Sequence, residues 1–218
     1  MMHCALIWDM DGTLVDSYPA IVPAAREVCN EAGADYGEEA IREFVIRTSV
    51  ANLLEQTAKE QGADLQALKE RFNRLNDSRV SAIRPIRHAK EALEALQEAG
   101  HLNFIYTHRG ESCGEILKNN GMEGYFTEVL TAQSGFARKP EPDAILYLTE
   151  KYGLRPERTF YVGDRNLDME AAASAKVGGI LLLEEGSPVV PSGLETVIVH
   201  DLKEIEPWIS QLSEMNPG

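Results

Sequence analysis

The sequence predicts an α/β protein, a parallel β-sheet sandwiched by helices, with a helical block inserted after the first strand. Three observations carry this reading. Apolar runs of strand length recur along the 218 residues, with 3.6-periodic patterns between them. Several of these runs end abruptly in polar turns that carry Asp, Thr or Gly. Between residues 19 and 83 the rhythm breaks, and only helical patterns appear.

Residues 4–8 form the first apolar run, of the kind that suits a strand buried on both faces of a parallel sheet. Similar runs cover 102–106, 159–162 and 179–183, with a weaker one at 126–130 and a short one at 196–199. Ile86, Ala89, Leu93 and Leu96 mark one helical face between them, and Gly100 stands where that helix stops. Gly121 and Gly153 punctuate the next two helices, and Pro142 suits the first turn of a helix carrying Ile145, Leu148 and Tyr152. In the inserted block, Ile21, Val22, Ala25, Val28 and Cys29 share one helical face. Val50, Leu53, Leu54 and Thr57 share a second. Leu65, Leu68, Phe72, Leu75 and Ile83 form a third, and a shorter helix covers 41–45. Pro19 and Pro85 bracket the block. The expected division is a core of residues 1–14 and 86–218 and an inserted domain of residues 15–85.

The net charge of −14 and pI near 4.8 repel nucleic acid and anionic lipid, so neither is an expected partner. The same charge repels a phosphorylated metabolite at long range, so a phosphate site must build its own local positive field. Cys4, Cys29 and Cys113 are too few and too far apart for a disulfide framework or a metal cluster. The apolar N-terminus lacks a basic flank and is cut by Asp9, which argues against a secretory signal. No apolar run approaches the length needed to cross a bilayer, and a cytoplasmic location is expected.

Four short segments carry chemistry. Asp9 and Asp11 lie two apart after the first strand, so in extended chain they project to the same side. Two such carboxylates have pKa values driven apart, which suits one to nucleophilic attack and the other to acid catalysis. An acidic turn bent at Gly12 is the plainer alternative. Thr107 closes the second strand ahead of a helix start, where a hydroxyl and backbone donors can hold a phosphate oxygen. Lys139, held next to Pro140, can place a fixed ammonium against a carboxylate and a phosphoryl oxygen. Asp164 and Asp168 follow the fourth strand and offer hard oxygen donors of the type Mg²⁺ takes. Helix capping by Asp164 or Asn166 is the alternative there.

Asp-x-Asp-Gly-Thr, strand-Thr, Lys-Pro and Gly-Asp-x-x-x-Asp, in this order, resemble the haloacid dehalogenase superfamily of phosphohydrolases. The likeness covers nearly the whole chain, including the helical block and the Ile-Val-His-Asp-Leu-Lys-Glu ending, and looks most like the branch of phosphoglycolate phosphatases and β-phosphoglucomutases. It implies a Rossmann-like core with a helical cap domain. By this resemblance Asp9 is the nucleophile and Asp11 the acid/base. Asp9, the Asp11 carbonyl, Asp164 and Asp168 hold or orient Mg²⁺. Thr107 and Lys139 bind phosphate, with His108 beside them, and Thr13 orients the acid/base. The four aspartates contribute −4, while Mg²⁺ and Lys139 return +3. A protonated Asp11 then brings the site to zero, so metal is expected to be obligatory.

The implied activity is a Mg²⁺-dependent phosphatase acting on a small phosphomonoester, phosphoglycolate-like or a sugar phosphate, through an aspartyl-phosphate. A sugar-phosphate mutase and a non-catalytic regulatory module on the same fold are the alternatives. Against the family's common pattern, Arg47 replaces a cap glycine and His108-Arg109 replaces an Asn or Ser. Arg47, on a loop entering a helix, and Arg109 are therefore candidates for substrate specificity, because Arg binds carboxylates and phosphates bidentately. Lys59 and Lys69 read as solvated cap lysines. A monomer or homodimer is expected.

Overall fold

The computed structural model describes residues 3–215, with side chains described to residue 212. In chain order the elements are β1 (Ala5–Trp8), β2 (Val15–Asp16), α1 (Tyr18–Glu31), α2 (Glu38–Arg47), α3 (Val50–Gln61) and α4 (Leu65–Asp77). Then follow β3 (Arg84–Pro85), α5 (Ala89–Glu98), β4 (Leu102–Tyr106), α6 (Ser112–Asn119), β5 (Glu128–Leu130) and α7 (Asp143–Tyr152). The last are β6 (Thr159–Gly163), α8 (Asn166–Ser174), β7 (Gly178–Leu182), β8 (Val197–Val199) and α9 (Ile205–Met215).

Two compact units result, one of residues 1–15 with 85–218 and one of residues 16–84. The first holds a parallel six-stranded sheet in the order β5-β4-β1-β6-β7-β8. β1 lies in the middle because Leu6, Ile7 and Trp8 are apolar on both faces and fully buried. On one face Ile7, Phe104, Tyr106 and Tyr161 pack with Ile145 and Leu148 of α7 and Ala171 and Ala172 of α8. On the other face Phe160 meets Trp208 of α9 edge-on, with ring centroids 5.1 Å apart. After β1 the chain builds β4 and β5 on one side, then returns to build β6, β7 and β8 on the other. This reversal opens a crevice at the C-terminal ends of β1, β4 and β6, where open α/β sheets bind ligands.

The second unit consists of α1 to α4. Its buried residues include Ile41, Val45, Leu53, Leu54, Leu68 and Phe72. Ser49 caps α3 by accepting from Asn52 N–H at 3.0 Å, and Asp64 caps α4 by accepting from Gln66 and Ala67. Ile83, expected on the last helical face, lies beyond α4: the helix ends at Asp77, and Ile83 is extended after a short 3₁₀ turn. The weaker strand is shorter than expected: it begins at Glu128, three residues after a 3₁₀ turn over residues 123–125. All three cysteines are free and buried. No helix of the described residues is long and apolar enough to cross a membrane.

Candidate active site

The turn after β1 shapes the site. Asp9 N–H donates to Val162 C=O at 2.8 Å, which extends the β1/β6 ladder by one residue. The chain then turns tightly: Leu14 and Val15 N–H both donate to Met10 C=O at 3.0 Å. Gly12 is required twice over. Its φ is +85°, and a Cβ there would overlap the Asp164 carboxylate. The two strand-end motifs are therefore in direct contact. Thr13 Oγ1 donates to Asp164 Oδ1 at 3.1 Å, so this hydroxyl orients Asp164 and not the Asp11 carboxyl.

Lys139 is fully buried among acceptors. Its Nζ lies 2.9 Å from Asp9 Oδ1, 2.7 Å from Asp168 Oδ1 and 2.9 Å from Tyr161 Oη. Burial disfavours the ammonium, but the Asp168 and Asp9 carboxylates outweigh it and hold the Lys139 pKa above its ordinary value. His108 Nε2 accepts from Lys139 N–H at 2.9 Å. Burial, with the Lys139, Arg138 and Arg165 charges, pushes the His108 pKa down to about 2. His108 is thus a neutral acceptor that anchors the Lys139 backbone, and it brings no positive charge to a phosphate. Thr107 is buried, and its hydroxyl oxygen accepts from Arg109 N–H at 3.1 Å.

Asp9, Asp164 and Asp168 come together with one oxygen from each within 4.8 Å of the others. Asp9 Oδ2 is buried and has no hydrogen-bond partner among the described residues. Three buried carboxylates offering hard oxygen donors this close together fit a small divalent cation. Asp168 is less available, since Oδ1 accepts from Lys139 and Oδ2 from Arg165 N–H at 3.1 Å. That second bond makes Asp168 a third-position acid reaching back to Arg165, the residue just before its helix.

Two arginines change the electrostatics expected from sequence. Arg109, its side chain 2% exposed, forks the Asp11 carboxylate: Nε lies 2.9 and 3.0 Å from the two oxygens and Nη2 lies 2.6 Å from Oδ1. Its Nη1 donates to Ser112 Oγ at 3.2 Å. The guanidinium expected to face substrate is instead engaged with Asp11. Arg165 Nη2 stands 3.5 Å from Asp9 Oδ2. Sequence reasoning passed over Arg165, although a cation between two acids just after a strand end was its signal. Four carboxylates thus face three protein cations. A bound divalent ion would turn this balance positive.

Arg47 does not sit on a loop. It is the last residue of α2 and pairs with Glu43 at 2.7 Å, with both side chains more than half exposed. Lys59 is exposed on α3, and Lys69 pairs with Glu55 at 3.3 Å.

The model of the haloacid dehalogenase-like hydrolases matches residues 6–181. Among curated proteins, the chain is 32% identical over 185 residues to a phosphoglycolate phosphatase of Mannheimia succiniciproducens, covering 77% of this chain and 80% of that one. It is 29% identical over 182 residues to a phosphoglycolate phosphatase of Vibrio vulnificus, covering 78% and 79%. Among solved structures, a haloacid dehalogenase-like hydrolase of Streptococcus pneumoniae shares the fold at a TM-score of 0.79 and 20% identity, covering 94% of this chain and 98% of that one. With its motifs gathered at the ends of β1, β4 and β6, the chain belongs to the haloacid dehalogenase-like hydrolases.

Proposed function

We propose that this chain is a Mg²⁺-dependent phosphatase that hydrolyses a small phosphomonoester through an aspartyl-phosphate on Asp9. The observation that carries the reading is Asp9 Oδ2, a buried carboxylate oxygen without a hydrogen-bond partner among the described residues, next to the acidic cluster. Asp9 Oδ2 attacks phosphorus as the ester P–O bond breaks, and the leaving alkoxide takes a proton from Asp11. Water then attacks the same phosphorus, the P–O bond to Asp9 breaks, and Asp11 takes the proton of that water. Lys139 holds Asp9 Oδ1, which leaves Oδ2 as the attacking atom. Asp9, Asp164 and the Asp11 carbonyl would hold Mg²⁺, which supplies neutralisation of the developing phosphoryl charge. Asp168 acts through Lys139 and its own helix start.

The helical unit, expected as a cap over residues 15–85, selects the leaving group in this reading. The named relatives support a carboxylated substrate such as phosphoglycolate as the first to assay. Turnover of p-nitrophenyl phosphate with Mg²⁺ is expected, and it falls to background in Asp9→Asn and on treatment with EDTA. Full turnover in EDTA, or an active Asp9→Asn, contradicts the mechanism. Sugar-phosphate substrates are expected to release free phosphate with no isomerised product, which separates a phosphatase from a mutase.

A further inference from the structure

We infer that Tyr161 is a positioning residue for Lys139, an inference that rests on the catalytic role of Lys139 above. Tyr161 lies on β6, opposite Ile7 of β1, and is fully buried. Its O–H donates to Tyr106 C=O, the last residue of β4, at 2.6 Å. The phenolic hydrogen is committed there, so at 2.9 Å Tyr161 Oη must accept from the Lys139 ammonium. The phenol reaches across the central strand and ties the ends of β4 and β6 to one ammonium. Lys139 has three N–H groups and meets three acceptors: Asp9 Oδ1, Asp168 Oδ1 and Tyr161 Oη.

This geometry is more than a core tyrosine finding a partner. The Tyr106 carbonyl alone would satisfy the hydroxyl. The second bond sets where the ammonium stands between two carboxylates. Asp168 Oδ1 is the nearer, at 2.7 Å, against 2.9 Å for Asp9 Oδ1. Without the neutral third acceptor, the ammonium is free to settle toward Asp168, away from the oxygen that orients the nucleophile. Lys139 Nζ also stands 5.2 and 5.5 Å from the ring centroids of Tyr161 and Tyr106. Both rings are thus within cation–π range of the ammonium.

The test compares wild type, Tyr161→Phe, Lys139→Met and a protein with 3-fluorotyrosine at position 161, all assayed on p-nitrophenyl phosphate with Mg²⁺. Tyr161→Phe is expected to lower kcat about 10- to 100-fold, as misplaced catalytic groups do, with KM within about threefold of wild type. 3-Fluorotyrosine keeps the hydroxyl and is expected to retain kcat near wild type. An active wild type, an inactive Lys139→Met and an unchanged Tyr161→Phe would overturn this inference alone. A 3-fluorotyrosine protein as slow as Tyr161→Phe would also overturn it, because the ring packing and not the hydroxyl would then matter. A wild type inert with every divalent metal overturns the catalytic reading and this inference with it.

Discussion

Arg109 illustrates how one side chain can change a site's logic. A fork from Nε and Nη2 onto Asp11 fixes the carboxyl in one orientation, and Ser112 fixes the guanidinium in turn. Arg109→Met is expected to lower kcat about 10- to 100-fold by releasing Asp11. Arg109→Lys should recover only part of this, because an ammonium restores the charge but not the fork. Steady-state kinetics of both variants check the order. Gly12 makes a second residue-scale prediction. Gly12→Ala combines a left-handed φ with overlap on Asp164, so a loss of about 1–3 kcal/mol is expected together with loss of turnover. Urea titration beside the activity assay measures both. Asp-x-Asp-Gly was legible in sequence as an acidic turn at a strand end. The steric need for Gly at the fourth position was not, because the atom that excludes a Cβ belongs to Asp164, far along the chain.

At the scale of elements, the end of β8 is bound to the start of α5. His88, the residue before α5, places Nδ1 2.8 Å from both Asp201 oxygens, and Arg87 Nη2 reaches Asp201 at 3.0 Å. Asp201 Oδ1 also accepts from Lys203 N–H at 3.1 Å, which starts the turn into α9. Burial raises the Asp201 pKa, but the Lys203 N–H, His88 and the Lys203 charge outweigh it and hold the carboxyl below its usual range. Arg87 and Lys203 are largely exposed and add little. Asp201→Ala is expected to cost about 1–3 kcal/mol at pH 7, read from urea midpoints. The contribution of a depressed carboxyl is complete above its unfolded pKa of about 4 and fades as pH falls through the folded value. The variant and wild type should therefore converge at low pH.

At the scale of the whole molecule, His101 and His108 are held inside the fold as neutral acceptors. His101 accepts from Cys4 N–H at 3.1 Å through Nδ1, and burial lowers its pKa. His108 is pushed down to about 2, chiefly by burial. Unfolded histidines bind a proton near pH 6.5. Between that pH and the folded values, the unfolded chain binds more protons than the native one, so stability falls as pH falls below about 6.5. Urea midpoints are expected to drop from pH 7.5 to 5.5. His101→Asn, whose side-chain oxygen can still accept from Cys4, should lessen that drop. The same titration predicts that no catalytic ionisation near pH 6.5 belongs to His108, so a rate profile with such a step should keep it in His108→Gln.

The sequence by itself determined the order of elements and the chemistry at the strand ends. Short apolar runs bounded by polar turns suit strands buried on both faces, and carboxylates clustered at their C-terminal ends imply a charged crevice. Both are local facts, written in consecutive residues. Strand 102–106 therefore emerged with its predicted bounds, Lys139 emerged against Asp9 and Asp168, and Asp164 emerged in the same acidic cluster. Tertiary structure alone decided what those residues touch. It turned Arg109 from substrate toward Asp11, placed Arg165 beside Asp9, made His108 a neutral acceptor, and set Tyr161 on the ammonium. The physical reason is that each partner lies 22 to 156 positions away along the chain. Charge and hydrogen bonding there depend on distances of about 3 Å, which only the register of β1, β4 and β6 brings about.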